Sequence, residues 1–242
     1  MTKLSVNLNK IALLRNSRGR NYPDVVEYAK KFIDLGVDGI TVHPRQDERH
    51  TKRQDAYDLA SLCAEYSHVE FNIEGYPSND FIAMVEQIRP DQCTLVPDDI
   101  NQLTSDHGWD VLNAAADLLP VLERLRNVGV RSSLFIDPDP KYAEQAKQVG
   151  ADRVELYTEA YANHVGTDKQ SSTWERYQNT ASKAQQLGIG VNAGHDLDLN
   201  NLKKFLEIPN ILEVSIGHAL TIECIDMGIE SVVEQYLKIC HR

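Results

Sequence analysis

Basic residues are scarce in this sequence: 25 Lys and Arg stand against 36 Asp and Glu over 242 residues, a formal net charge of −11. A nucleic-acid binder shows a basic face, so this balance argues against that class. It leaves room for a locally basic pocket that holds a small anion. No apolar run approaches the roughly 18 residues that span a membrane as a helix. Asn7, Asn9 and Lys10 interrupt the first apolar stretch, so no signal-peptide core is read there. The four cysteines, Cys63, Cys93, Cys224 and Cys240, form no CxxC pair, and reduced thiols in a cytoplasmic protein are the expectation. Also missing are a GxGxxG turn, an HxH or HExxH pair, a long Pro/Gly/Ser linker, a low-complexity tract and a heptad repeat. These absences speak against a dinucleotide-binding open sheet, a paired-histidine metal helix and a division into two domains.

What the chain does contain is a regular alternation of two periodicities. Strand patterns are read at Lys3–Asn9, Asp38–Pro44, Val69–Glu74, Gln92–Pro97, Val130–Asp137, Asp152–Thr158, Gly188–Ala193 and Ile211–Gly217. Helical patterns lie between them at Tyr22–Leu35, Arg53–Tyr66, Asn79–Ile88, Val111–Val128, Lys141–Val149, Thr173–Leu187, Leu202–Glu207 and Cys224–Cys240. Gly36, Gly129, Gly150 and Gly188 stand where helices stop before the next strand. Pro120 interrupts the fourth helical pattern, which predicts a kink or two helices. Strand followed by helix, repeated around the chain, predicts a single α/β domain over residues 1–242. Its expected form is a closed (β/α)8 barrel of the TIM type, with extra helices.

Within the strands one face is apolar and the other polar. Leu4, Val6 and Leu8 oppose Ser5, Asn7 and Asn9; Phe71 and Ile73 oppose Glu70, Asn72 and Glu74. Val154 and Leu156 oppose Arg153, Glu155 and Tyr157, and Leu212, Val214 and Ile216 oppose Glu213, Ser215 and Gly217. The apolar set packs under the helices, so the polar set faces the barrel axis. Buried carboxylates without partners cost about several kcal/mol each. The lumen is therefore a closed network of paired charges, or a wet site reaching well down the axis.

Barrel active sites lie at the C-terminal strand ends. Those ends carry Asn7 and Asn9, His43 and Arg45, Glu74, Asp98, Asp137, Glu155, His195, and Gly217 with His218. The stretch Thr41–Glu48, continuing to Arg49 and His50, turns from strand to a loop rich in ionisable groups. An imidazole beside a guanidinium there suits a small anion; the plain alternative is a solvated charged loop. His and Glu are also metal-ligand types, but proton transfer fits better, with Glu74 as general base and His43 and His195 moving protons near neutral pH. Two anion sites are read. One is the glycine-containing end of the last strand, and the other is the basic set Lys10, Arg15, Arg18, Arg45 and His50. His68, His164 and His241 read as solvated, Trp109 and Trp174 as packing at helix starts, and Ala162–Ser172 as either a flap over the site or an ordinary loop.

These segments resemble the pyridoxine 5′-phosphate synthase family. The likeness rests on Val6-Asn7 with Leu14–Gly19, Gly39–Arg45 with Arg49-His50, Asn72–Glu74, Leu95–Pro97, Ser133–Asp137, Val191–His195 and Ile216–Ala219. It implies a barrel enzyme that condenses 3-amino-2-oxopropyl phosphate with 1-deoxy-D-xylulose 5-phosphate. The products would be pyridoxine 5′-phosphate, phosphate and water, formed without metal or organic cofactor. By position, His43 and Glu74 would accept protons, His195 would donate one, and Glu155 would stabilise the transition state. Asn7, Arg18, Gly217 and His218 would hold the aminoketone phosphate, and Arg45, His50 and Thr104 the deoxyxylulose phosphate. Asn9 and Lys10 stand where the family usually has Asp-His, and Asp196 where it usually has Gly; these three are expected to alter substrate contacts. Asp98-Asp99 replace its usual acidic-basic pair. The resemblance further implies a cytoplasmic homo-octamer with phosphorylated small molecules as its partners, and no nucleic acid or membrane. Two alternatives stay open: a metal-dependent sugar-phosphate epimerase or aldolase, and a non-catalytic barrel that binds a phosphorylated metabolite.

Overall fold

Strands with one apolar and one polar face bury the apolar one by closing under a layer of helices. The computed structural model, which describes residues 1–98 and 105–242, shows that solution. Its strands are β1 (Lys3–Asn7), β2 (Gly39–Val42), β3 (Glu70–Gly75), β4 (Gln92–Leu95), β5 (Arg131–Ile136), β6 (Arg153–Tyr157), β7 (Gly190–Gly194) and β8 (Ile211–Ile216). All pair in parallel with their sequence neighbours, and β8 pairs with β1 to close the barrel. Around it lie α1 (Asn9–Asn16), α2 (Val25–Asp34), α3 (Arg53–Cys63), α4 (Asn79–Ile88), α5 (Ala115–Asn127), α6 (Pro140–Val149), α7 (Glu159–His164), α8 (Gln170–Gln186), α9 (Leu202–Phe205), α10 (His218–Met227) and α11 (Ile229–Cys240). The TIM-type barrel with extra helices is the expected architecture. Among the described residues no helix is long and apolar enough to cross a membrane.

Local chemistry sets the helix ends. Asp24 accepts from the N–H groups of Val26 and Glu27, Ser78 from Phe81 and Asp139 from Lys141, each capping the helix that follows. The expected glycine stops all have positive φ, and Gly150 (φ +81°) is the C-cap of α6. Outward strand residues such as Leu4, Ile40, Ile73, Leu134, Val154, Val191 and Val214 are fully buried beneath the helices and form one continuous core with them.

Several boundaries differ from expectation. β1 stops at Asn7 because the Asn7 Oδ1 accepts the Asn9 N–H and turns the chain. Asn9 thus begins a helix, and Lys10–Leu14 lies within α1, whose buried Ile11, Ala12 and Arg15 follow helical spacing. Pro120 lies inside α5 rather than dividing it. The last helical pattern starts earlier, at His218, and splits at Gly228 (φ +83°). Within residues 162–172, α7 ends at His164 and α8 begins at Gln170, so the connection itself is residues 165–169. Trp109 precedes α5 and packs under the β4 end, donating its indole N–H to the Leu95 carbonyl. His164 and His241 are bonded to Thr173 and Asp38, whereas His68 is exposed.

The inward face combines the two readings of the lumen. At its N-terminal floor Glu70 accepts from Lys3 and Arg131, and Arg131 also reaches Gln92. Arg153 bonds Asn192 and lies 3.9 Å from Glu213. Burial pushes the Glu70 carboxyl up, but the hydrogen bonds from Lys3 and Arg131 outweigh it and hold the group ionised. Above that floor run Ser5, Thr41, Asn72 and Thr94, linked at 2.7, 3.4 and 3.1 Å, with Thr94 reaching Glu155 at 3.5 Å. The barrel is plugged by paired charges below and opens as a polar cleft above.

Candidate active site

The C-terminal mouth is built by tying the first two strand ends together. Leu8 N–H donates to the Thr41 carbonyl, continuing the β1–β2 ladder by one bond. The Asn9 Oδ1 then accepts both the His43 N–H at 2.9 Å and the Thr51 hydroxyl at 3.1 Å. Arg15 grips Asp55 through two nitrogens at 2.6 and 2.8 Å, and the Asn16 amide donates to the carbonyls of Arg49 and His50. The two ends of the ionisable loop after β2 are therefore tied into the wall, while Gln46, Asp47 and Glu48 between them are exposed.

A cleft of about 530 Å³ occupies the mouth. Asn7, Asn9, Lys10, His43, Arg45, His50, Glu74, Glu155, His195, Asp196, Gly217 and His218 all line it. Arg18 does not: it sits exposed on the turn after α1. Thr104 and Asp99 lie outside the described residues. Asp98 and Ser105 also line the cleft, and Asp137 instead accepts the Gly108 N–H. A neighbouring cavity of about 430 Å³, walled by Tyr76, Phe81 and Pro97, shares His43, Arg45 and Asp98 with it.

Two glycines permit the packing. A β-carbon on Gly194 would overlap the Glu155 carboxylate, and one on Gly217 would stand 3.0 Å from the Asn7 Cβ and 3.1 Å from its carbonyl. Sequence reading missed two apolar lining residues, Val96 and Phe135, which cluster with Tyr157 at the mouth. The Phe135 and Tyr157 rings lie 5.3 Å apart, and Tyr157 meets the His195 imidazole edge-on at 4.9 Å. Val96, Phe135 and Tyr157 share the inward parity of Thr94, Ser133 and Glu155, which was the available signal.

Burial and neighbouring charge separate the protonation states. Desolvation holds the Glu74 carboxyl well above its ordinary range, helped by Glu155, Asp98 and Glu213 and opposed by an Asn7 amide bond at 3.3 Å. Burial and then Glu213 push Glu155 up to about 8. His43 is held well below its usual value by burial and by the nearby His50 and Arg45, and burial brings His50 down to about 4. Burial thus disfavours the charged forms of Glu74 and Glu155 and keeps the imidazoles of His43 and His50 neutral at neutral pH. Arg45 pairs with Asp98 at 2.8 Å with both side chains buried, and burial still outweighs the cation and raises Asp98. At the rim, the hydrogen bond from His195 holds the Asp196 carboxyl below its ordinary range. Among the described residues no three of His, Cys, Asp and Glu gather in a way that could hold a metal ion. The arrangement is suited to moving protons across a bound anion in a partly dry cleft.

The model of the family described as pyridoxal phosphate biosynthesis protein PdxJ matches residues 4–242. A protein named pyridoxine 5′-phosphate synthase from Bacteroides fragilis is 50% identical over 243 residues, covering 100% of both chains. Its namesake from Cytophaga hutchinsonii is 48% identical over 239 residues, 98% of each. Among solved structures, a mutant tryptophan synthase alpha-subunit from Pyrococcus furiosus superposes with a TM-score of 0.64 at 12% identity, covering 100% of this chain and 98% of that one, a likeness of fold alone. With a family model spanning nearly its whole length and relatives near half identity end to end, the chain belongs to the pyridoxal phosphate biosynthesis protein PdxJ family.

Proposed function

We propose that this chain is a ring-closing enzyme of vitamin B6 biosynthesis, acting as one catalytic domain over residues 1–242. It condenses 3-amino-2-oxopropyl phosphate with 1-deoxy-D-xylulose 5-phosphate and yields pyridoxine 5′-phosphate, phosphate and water. Kinship supports the reaction. The observation that carries the site is one cleft that joins Glu74, Glu155, His43 and His195 from four strand ends beneath a rim holding Lys10, Arg45 and His218.

The chemistry needs an amine and a ketone to form an imine, a proton to leave carbon, and phosphate and water to depart. His43 is neutral at physiological pH and so can accept a proton at once. Burial disfavours the Glu74 carboxylate before substrate arrives; an aminoketone ammonium placed against it favours the charged form and readies it as an acceptor. His195 donates to a leaving oxygen. Glu155, buried behind Gly194, stabilises positive charge as it develops on nitrogen. Asn7, Gly217 and His218 hold the aminoketone phosphate. Arg45, His50 and Thr104 hold the sugar phosphate, with Asn9, Lys10 and Asp196 shaping the rim. The reaction runs without metal or organic cofactor, in a cytoplasmic homo-octamer whose partners are phosphorylated small molecules.

The test is direct. Purified protein supplied with both substrates forms pyridoxine 5′-phosphate and releases phosphate, with and without chelator. No product with either preparation defeats the proposal, and activity abolished by chelation favours a metal-dependent sugar-phosphate enzyme.

A further inference from the structure

The backbone at the β7 end is held in an uncommon conformation by groups outside the cleft. His195 (φ +89°) and Asp196 (φ +58°) are consecutive non-glycine residues in the left-handed region, a costly arrangement that persists only when neighbours over-determine it. Here they do. The buried Thr158 hydroxyl bonds the carbonyls of Gly194, at 2.7 Å, and His195, and the buried Asn201 amide donates to the Asp196 carbonyl at 3.0 Å. The result of this clamp is that the two side chains meet, with His195 Nδ1 3.1 Å from Asp196 Oδ2. On the other flank the Tyr157 ring closes edge-on, and the Tyr157 hydroxyl is itself committed to Glu159.

We propose that Asp196 is a positioning residue for His195: its carboxylate takes the Nδ1 hydrogen, so that Nε2 is the nitrogen that meets substrate, and its charge sustains the imidazolium that donates the proton. A carboxylate is an acceptor only, so the bond fixes the tautomer of the neutral ring and favours the charged one. The same bond keeps the Asp196 carboxyl ionised, which is the reciprocal of that effect. It also turns the acidic group toward the imidazole, and an anionic substrate can enter beside it. The inference rests on reading His195 as the proton donor of the proposed reaction. The charged groups facing the pair are Lys10 from α1, His218 from α10 and, beyond the Tyr157 ring, Glu159 and Asp106; Glu155, Glu74 and His43 lie deeper in the cleft.

Asp196→Asn and Asp196→Gly separate orientation from charge, and Asn and Gly are the residues most at ease at positive φ, so both variants keep the fold. The Asn amide oxygen can still accept from Nδ1, whereas Gly removes both effects. The first measurement is the NMR titration of His195 in the unliganded protein, assigned with a His195→Gln variant. Loss of the carboxylate that accepts from Nδ1 moves that titration to lower pH in both variants, by an amount that the partial exposure of the pair keeps small. The second is the pH profile of kcat. Its alkaline limb moves down in step with that titration, lowering kcat at alkaline pH and converging with wild type at low pH. KM changes by less than about twofold, and Asp196→Asn retains more activity than Asp196→Gly. An unmoved His195 titration, or a change confined to KM, overturns the assignment. A shifted titration in a protein that forms no pyridoxine 5′-phosphate leaves the Asp196–His195 coupling standing and removes the functional reading instead.

Discussion

The Glu155 carboxylate occupies the space where a side chain on Gly194 would stand, so the buried acid on β6 depends on a bare backbone on β7. Gly194→Ala therefore displaces the carboxylate, the mobile partner in that contact, and not the strand. Turnover is expected to fall by about tenfold to a hundredfold, since a shift of about 1 Å in a reacting group is enough for that. Stability drops by only ~1–3 kcal/mol. Steady-state kinetics beside thermal unfolding checks this, and unchanged turnover would show that the position of Glu155 is immaterial.

Glu74→Gln conserves the shape of the side chain and removes a carboxylate whose charged form burial disfavours, so the fold is kept while the proton acceptor is lost. Turnover decreases at least about a hundredfold. Near-normal activity in that variant would take Glu74 out of the reaction.

Glu155 also makes a prediction about pH and stability. Its folded pKa, about 8, lies above the ordinary carboxyl value, so the unfolded chain releases this proton first. Raising the pH from the unfolded pKa to the folded one therefore costs stability progressively, and the loss levels off above about 8. Glu155→Gln removes that cost. Relative to wild type it should gain stability from about pH 5 to pH 8, reaching ~1 kcal/mol or more, as measured by denaturant titration at several pH values. A stability difference that is flat across this window contradicts the assignment.

Arg45 and Asp98 are both buried and paired at 2.8 Å, so removing one leaves the other desolvated. Arg45→Met is expected to cost ~3–5 kcal/mol, and Arg45→Met combined with Asp98→Leu distinctly less. Urea unfolding of both variants decides it; equal losses would mean that the pair itself contributes little. Because Arg45 is also proposed to hold the sugar phosphate, both variants should raise KM for 1-deoxy-D-xylulose 5-phosphate.

Asn9 uses a single oxygen to hold the His43 N–H and the Thr51 hydroxyl. Asn9→Asp keeps that acceptor and should fold like wild type, while Asn9→Ala loses both bonds and ~1–2 kcal/mol. A stable Asn9→Ala protein with normal turnover would show that this tie does not position His43.

Much of the barrel was legible because its signal is local. Strand parity separates Leu4 and Val6 from Ser5 and Asn7 wherever the chain sits in space, and a glycine after a helix stops it for reasons confined to its own dihedral angles. α1 escaped this reading because its start depends on one Asn7–Asn9 hydrogen bond, and the split at Gly228 because apolar spacing runs on through it. Most of the cleft lining was legible as a set of strand-end residues; Arg18 and Asp137 lie outside the cleft, and Thr104 lies outside the described residues. Val96 and Phe135 were overlooked because apolar residues facing an otherwise polar axis look like core.

The order of residues along the chain determined the strand-and-helix alternation, the polar lumen and the membership of the cleft, since periodicity and parity are properties of neighbours in sequence. Tertiary structure alone decided which proton each group holds and which partner it faces. Burial of Glu74, the pairing of Arg45 with Asp98 and the clamp by Thr158 and Asn201 that turns Asp196 onto His195 all arise from segments far apart in the chain. Desolvation and Coulomb energy depend on what surrounds a charge in space, and no local pattern encodes that.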